Sequence, residues 1–518
     1  MSFRKRSQPL DSLERRGADL ESFNLNCSQT CSYKAKMWPW HRFHCLTTRQ
    51  VLLCPVIISV GLVSVASQIA ARATRLRQFE GAKNGMAITN VSSTSVTTDA
   101  PGETNKSAMA MVTTLFFMWG FLTSLNDILI PHLKSIFSLN YASALLVQFV
   151  FFCAYAAFGI PAGKVVEWIG YQRTMVAGLF TMCAGALLFI PAASVPSFPL
   201  FLSALIVLAA GITALQVAAN PYVSVLGPPS TASSRLNLTQ AFNSLGTVIG
   251  PLLGGLLILG KAAKHAEDVT TLSPEQLHLY RLQEAATVKF PYLAIALALV
   301  ILGLAIALYK FPRLDTTKDY RPIGDKKDSM WRHRHVVLGA VGIFVYVGAE
   351  VAIGSFLINY FGQKDIGGLT PLAASALVPF YWGGAMIGRF IGSAVLQKVE
   401  TGKLLALCAV VAALLVITSM LTLGHVAIWS ILLVGLFNSI MFPSIFTLGI
   451  AGMGPLTGEA SGLLVTAIVG GAIIPEIQGI LADRIGIHHA FVLPILCYLF
   501  IAYYGLKGSK VLSSESKY

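Results

Sequence analysis

The run "FFMWGFLTSLNDILIPHLKSIF" (residues 116–137) sets an amide and a carboxylate, Asn126 and Asp127, near the middle of a long apolar segment. A charge at the centre of a membrane helix costs about 2.5–3.5 kcal/mol on insertion scales, so such residues line a cavity, a relay or an ion pathway. A carboxyl group in a low-dielectric cavity favours its neutral form, which lets it take a proton on one side and release it on the other. Glu350, in "YVGAEVAIGSF", is a second carboxylate in mid-run. Glu476 follows Pro475, where a broken helix would expose it to a cavity. Arg389 lies among small residues in "GGAMIGRFIGS" and either pairs with an acid or snorkels to the surface.

The elements that hold these groups are apolar helices. The 518-residue chain is 55% hydrophobic and 12% charged, with mean hydropathy +0.67. About 25% charged is usual for a soluble domain, so lipid is the solvent for most of this chain. From residue 109 onward, apolar runs of about 20 residues recur, each able to cross a hydrocarbon core of about 30 Å. Twelve transmembrane helices are predicted, at 109–131, 142–162, 172–193, 198–226, 239–260, 289–310, 336–360, 371–397, 403–422, 425–449, 459–481 and 488–507. The basic stretch "KFPRLDTTKDYRPIGDKKDSMWRHRH" separates the sixth from the seventh, and the charge rule for loops places it in the cytoplasm. Lys164, Arg173, Arg235, Lys398, Lys403, Lys507, Lys510 and Lys517 then fall on that same side. In the opposite loop 261–288, Ser273 and Gln276 flank Pro274 in a capping-box pattern that predicts a short helix.

The two halves repeat. "LQVAANPYVSVLG" (215–227) and "FNSIMFPSIFTLG" (437–449) align at an offset of 222, matching Gln216 with Asn438, Pro221 with Pro443 and Gly227 with Gly449. "GTVIGPLLGG" and "GGAIIPEIQG" align at 224, matching Gly246 with Gly470, Pro251 with Pro475 and Gly255 with Gly479. At 223, Asp127 falls on Glu350. Six helices, a basic linker and six related helices are the layout of a two-lobed carrier with its site between the lobes.

Residues 1–108 are polar apart from "VLLCPVIISVGLVSVASQIAA" at 51–71. That run reads as a thirteenth helix or signal anchor, or as sequence upstream of a start at Met86 or Met109; the second reading is preferred, because a thirteenth helix disturbs the charge-consistent topology. Residues 1–108 hold 14 basic and 7 acidic residues (14 − 7 = +7) and the rest hold 24 and 17 (24 − 17 = +7). No basic stripe with interleaved aromatics occurs, so no nucleic-acid partner is expected. Cys27, Cys31, Cys45, His41 and His44 match no zinc-finger spacing, and Cys153, Cys183, Cys408 and Cys497 lie singly in apolar runs as small hydrophobes.

Residues 109–507 resemble the major facilitator superfamily, and within it the branch of fucose:proton symporters and glucose/galactose transporters. The resemblance is carried by "NDILIPHLKSIF", "QVAANPYVSVLGP", "SSRLNLTQAFNSLGTVIGP", "LSPEQLHLYRLQEAATVKFPY" and "VGAEVAIGSFLINYF". It implies an all-α membrane protein with two pseudo-symmetric six-helix lobes, 109–310 and 336–507, joined by a linker at 311–335 and closed by a tail at 508–518. The superfamily's loop motif between helices two and three survives as "GKVVEWIGYQR", with Gly163, Glu167, Gly170 and Arg173. Its acid and base can pair and bias which side is open, or simply anchor the topology.

The resemblance also implies that Asp127, the acid of the "NDI" motif, is essential for coupled transport, and that Asn243 is functional. The fucose symporters carry an acid where this chain has Gln216, so the substitution resembles the glucose/galactose branch. Coupling then rests on Asp127 alone, on Glu350, or on sodium in place of the proton. A sugar site needs amides for hydroxyls, and Asn126, Gln216, Asn220, Asn243, Asn359 and Asn438 are the candidates. Tyr346 and Trp382, with Trp119 and Tyr155, are candidate aromatic platforms for a pyranose face.

The expected function is import of a hexose, glucose or galactose first, by alternating access with proton symport. The alternatives are N-acetylglucosamine or fucose as the sugar, sodium as the ion, a non-transporting sugar sensor, or a drug exporter. An enzyme is not expected, since GxxxxGK[ST], HExxH and GxSxG are missing. No cofactor is expected beyond the coupling ion, H+ or Na+. The partners expected are a small-molecule sugar and the bilayer, with no obligatory protein partner and the chain a monomer. The location expected is the cell inner (plasma) membrane, multi-pass, with both ends of the twelve-helix unit cytoplasmic.

Overall fold

The computed structural model describes residues 104–137, 141–195, 197–258, 289–312 and 328–511, with 273, 275, 276, 279, 282 and 320 between them; side chains at 125–145 and 251–258 are not included. The apolar run 51–71 and the cysteine–histidine group at 27–45 lie outside the described residues. The described helices all belong to one compact unit.

Twelve helical rods make up these residues, and no strand occurs among them. In the first half they are α1 (Lys106–Phe137), α2 (Tyr141–Ile169), α3 (Tyr171–Ser194), α4 (Phe198–Val225), α5 (Ala232–Ile258) and α6 (Lys289–Leu308). In the second they are α7 (Arg334–Phe361), α8 (Val378–Val395, after the short Pro371–Ser375), α9 (Thr401–Leu421) and α10 (Gly424–Asn438 continued by Met441–Ile450). The last two are α11 (Thr457–Thr466 continued by Gly470–Ile485) and α12 (Val492–Tyr503, after Ile487–Ala490).

Ten of these rods are long and apolar enough to cross a membrane, among the described residues. The other two, α5 and α8, are polar or broken for identifiable reasons. The first half of α5 carries Ser233, Ser234, Arg235, Asn237, Thr239 and Gln240, all buried. Its polar side faces protein, which is the condition lipid sets for such groups. Reading those residues as loop made the expected start at 239 seven residues late. α8 restarts after Ser375 because Pro379, near its beginning, has no N–H to continue the earlier turn.

The same property of proline shapes the two repeat-related helices. Pro221 in α4 and Pro443 in α10 cannot donate to the carbonyls four residues back, Val217 and Ser439. Both carbonyls are taken by side chains instead: Ser461 Oγ donates to Val217 O at 2.8 Å and Arg389 Nε to Ser439 O at 3.3 Å. α10 breaks at the freed turn and α4 stays continuous.

Packing repeats as the sequence does. α1 packs on α5, α2 on α4, and α3 on α4 and α6; correspondingly α7 packs on α11, α8 on α10, and α9 on α10 and α12. The lobes meet through α2 with α11 and α5 with α8. Leu297, Ile301 and Leu304 on α6, and Leu407, Val410 and Leu414 on α9, are exposed at helical spacing. Apolar stripes of that extent face lipid. In the loop 261–288, Ser273 N donates to Gln276 Oε1 at 3.1 Å and Gln276 N to Ser273 Oγ at 3.3 Å, the reciprocal pair of a capping box.

Candidate functional site

The first lobe supplies a buried polar cluster. Gln216 and Asn220 lie four residues apart on α4, hence on one face, and are 2% and 0% exposed. Gln216 Nε2 donates to the Tyr155 hydroxyl on α2 at 2.8 Å. Gln216 Oε1 and both amide atoms of Asn220 have no hydrogen-bond partner in the protein. On α5, Asn243 Nδ2 donates to Phe116 O of α1 at 2.9 Å, and Gly120 lets the two backbones approach there. Trp119 is buried beside Phe116, their rings 5.2 Å apart. Asn126 and Asp127 belong to α1, but their side chains lie outside the described residues.

The second lobe supplies a matching cluster. Glu350 is half-buried on α7, and the Tyr346 hydroxyl one turn earlier donates to its Oε1 at 2.8 Å. The Tyr381 hydroxyl of α8 donates to the Glu350 backbone carbonyl at 3.2 Å and accepts from Asn438 Nδ2 of α10 at 2.9 Å. Asn438 Oδ1 is buried without a partner. Arg389 is half-buried and makes no direct ion pair with an acid among the described residues. Its Nε holds Ser439 O, its Nη1 donates to Ser244 Oγ of α5 in the other lobe, and its charge acts on Glu350.

Three candidates stand apart from these clusters. Asn359 is exposed in the last turn of α7, since the helix carries it about two and a half turns beyond Glu350 and onto the opposite face. Glu476 is exposed on α11 although it follows Pro475. Trp382 is 42% exposed, edge-on to Tyr381 at 5.1 Å and against Gly354, so it borders the cluster. Sequence reasoning missed Tyr381; its signal was its place on α8, the counterpart of the helix that carries Tyr155.

The lobes are closed against each other on the linker side. Ser233 Oγ meets Thr447 Oγ1 at 2.6 Å and accepts from Thr401 at 3.0 Å. Ser234 Oγ donates to Ser393 O at 2.7 Å, Ser393 Oγ returns a bond to Ser234 O at 3.1 Å, and Asn237 Nδ2 donates to Arg389 O at 2.7 Å. Glycines permit the α2–α11 crossing: a Cβ on Gly163 would lie 2.7 Å from Gly458 O, and one on Gly462 would lie 2.7 Å from Gly159 O.

The motif expected to be a loop is mostly helix. α2 runs to Ile169, so Gly163 and Glu167 are on its last turns, and only Gly170, at φ 83°, makes the corner. Apolar "VVEWI" lets α2 continue past Pro161, and glycine alone accepts that corner readily. Glu167 makes no ion pair with Arg173, which is exposed on α3. It lies instead against Gly458 and in the field of Glu459 at the start of the second-lobe α11. Gln172 contributes within the first lobe, donating to Ile306 O at 2.8 Å and Tyr309 O at 2.9 Å and so capping α6.

A profile described as the Major Facilitator Superfamily matches residues 111–475. The chain is 52% identical over 425 residues to a protein of Brucella abortus biovar 1 (strain 9-941) named glucose/galactose transporter, covering 80% of this chain and 99% of that one. It is 37% identical over 402 residues to the L-fucose-proton symporter of Escherichia coli (strain K12), covering 76% and 91%. A crystal structure of the major facilitator superfamily transporter FucP in the outward conformation superposes with a TM-score of 0.71 at 34% identity, covering 78% of this chain and 99% of that one.

Proposed function

This chain belongs to the major facilitator superfamily, and we propose that it imports a hexose, glucose or galactose, by alternating access coupled to proton entry. The observation that carries the reading is the pair of buried amide clusters, one per lobe, whose oxygens Gln216 Oε1 and Asn438 Oδ1 lack partners in the protein. Buried acceptors of this kind are costly to leave unpaired, and sugar hydroxyls supply donors in the number required. The relatives named for glucose and galactose support that substrate class, and Gln216 in place of an acid supports it against fucose.

Coupling is assigned to Asp127 and Glu350, one acid per lobe at repeat-related positions. The names of the fucose relatives favour the proton over sodium. The linker is assigned to the cytoplasm of the plasma membrane by its basic residues, so the linker-side seam shuts the cytoplasmic side in this state. That seam is built mostly of neutral hydroxyl and amide bonds and glycine contacts, with one charged bond from Arg389 to Ser244. Neutral hydrogen bonds contribute about 0.5–1.5 kcal/mol each, weak enough to break and re-form in each cycle. Binding of sugar and proton would shift the population toward the state open to the linker side.

The test is uptake of labelled glucose in cells lacking their own hexose carriers, competed by excess galactose, N-acetylglucosamine or fucose. Uptake blocked by galactose and spared by fucose is the expected outcome. No glucose uptake, with fucose carried instead, would overturn the substrate assignment.

A further inference from the structure

The two amide–tyrosine pairs occupy corresponding places in the lobes. In each, an amide on the fourth helix of its lobe donates to a tyrosine hydroxyl on the second helix: Gln216 to Tyr155 at 2.8 Å and Asn438 to Tyr381 at 2.9 Å. The amides are offset by 438 − 216 = 222 and the tyrosines by 381 − 155 = 226, one helical turn apart in register. In both pairs the amide oxygen is left without a partner.

We propose that Tyr155 and Tyr381 are positioning residues that fix both amides with their carbonyl oxygens toward the sugar, making each amide a hydrogen-bond acceptor only. The inference rests on the sugar-transport reading above and adds which hydroxyl role the site selects. Hydrogen-bond roles in the second lobe decide the orientation there. A backbone carbonyl cannot donate, so the bond between Tyr381 and Glu350 O uses the tyrosine proton. Only the lone pairs of the Tyr381 oxygen remain for Asn438, and they demand its NH2 group. Tyr498, another neighbour of this amide, is fully buried, and its hydroxyl makes no bond of normal geometry. Asn438 Oδ1 therefore points away from Tyr381. At Gln216 the amide likewise donates through Nε2, here to Tyr155, which is 3% exposed and wedged edge-on against Phe151 at 5.6 Å.

An amide free to rotate would accept either a donor or an acceptor from the ligand. A fixed carbonyl accepts only from an O–H. A deoxyfluoro sugar, whose fluorine accepts weakly and never donates, is therefore rejected as strongly as the deoxy sugar at the positions these amides read.

The experiment is competition of labelled glucose uptake by the deoxy and deoxyfluoro analogues at each ring hydroxyl, in the wild-type chain and in Tyr155→Phe and Tyr381→Phe. In the wild type, at least one deoxyfluoro analogue is expected to compete about tenfold more weakly than glucose, matching its deoxy counterpart. In each Phe variant the amide is released to rotate, and the fluoro analogue at its own position should regain affinity while the deoxy analogue does not. A merely structural role would weaken all analogues alike. Fluoro analogues that all compete like glucose in the wild type overturn the proposal, whichever variants fold. So does a fluoro-to-deoxy ratio unchanged by both substitutions. Failure of the wild type to carry any hexose is a distinct result, which overturns the transport reading and this inference together.

Discussion

Gly462→Ala should push the protein out of the state seen here. The added methyl would sit 2.7 Å from Gly159 O and 3.1 Å from Gly163 Cα, both on α2. A relaxed carbon–oxygen contact is about 3.3–3.6 Å, so the helices must separate by more than half an ångström. Both neighbours are backbone, and no rotamer change can relieve the overlap. Overpacking of this kind costs about 1–3 kcal/mol. Because α2 and α11 belong to different lobes, the cost falls on the linker-side-closed state and is escaped by opening the seam. At about 1.4 kcal/mol per tenfold, the equilibrium moves by about 5- to 150-fold toward the linker-side-open state. The assay is a spin-label distance between Lys164→Cys and Lys398→Cys, both exposed at the linker side in opposite lobes, in a background without the native cysteines. A longer-distance population should grow with Gly462→Ala. Gly303→Ala on α6 is the control, since its methyl would meet only Phe180 and Leu179 side chains at 3.4 Å or more. An unchanged distance distribution in Gly462→Ala refutes the reasoning that this crossing holds the seam.

Asp127→Asn should abolish accumulation of sugar against its gradient while sparing sugar exchange, as read by counterflow in vesicles; full accumulation would remove Asp127 as a coupling residue. Arg389→Lys should slow uptake about tenfold without loss of folding, because one ammonium cannot hold both Ser439 O and Ser244 Oγ as the guanidinium fork does. Wild-type uptake in that variant would show that the link between α8 and α5 is dispensable.

The sequence by itself determined the class, the repeat and most of the polar inventory. Lipid admits few structures, so apolar runs of spanning length declare themselves wherever they occur. Proline acts through its own missing N–H, and Pro221 and Pro443 therefore marked equivalent turns from composition alone. Gln216, Asn220 and Asn438 were visible because an amide in an apolar run needs an explanation. The capping box at Ser273 and Gln276 was visible because both partners lie within one turn.

Tertiary structure decided everything that depended on a partner distant in the chain. The first half of α5 looked like loop because its polar residues suit water as well as the opposite lobe, and only Thr447, Ser393 and Arg389 distinguish the two. Asn359 shared the composition of the true cluster members but not their helix face and depth. Arg389 had two readings in sequence; the carbonyl freed by Pro443 and the hydroxyl of Ser244 came within its reach and took its hydrogen bonds, while its charge still acts on Glu350 without a direct ion pair. Tyr155 and Tyr381 stand 61 and 57 residues from the amides they hold. A hydrogen bond has no range along the chain, only through space, so those pairs exist only once the helices have packed.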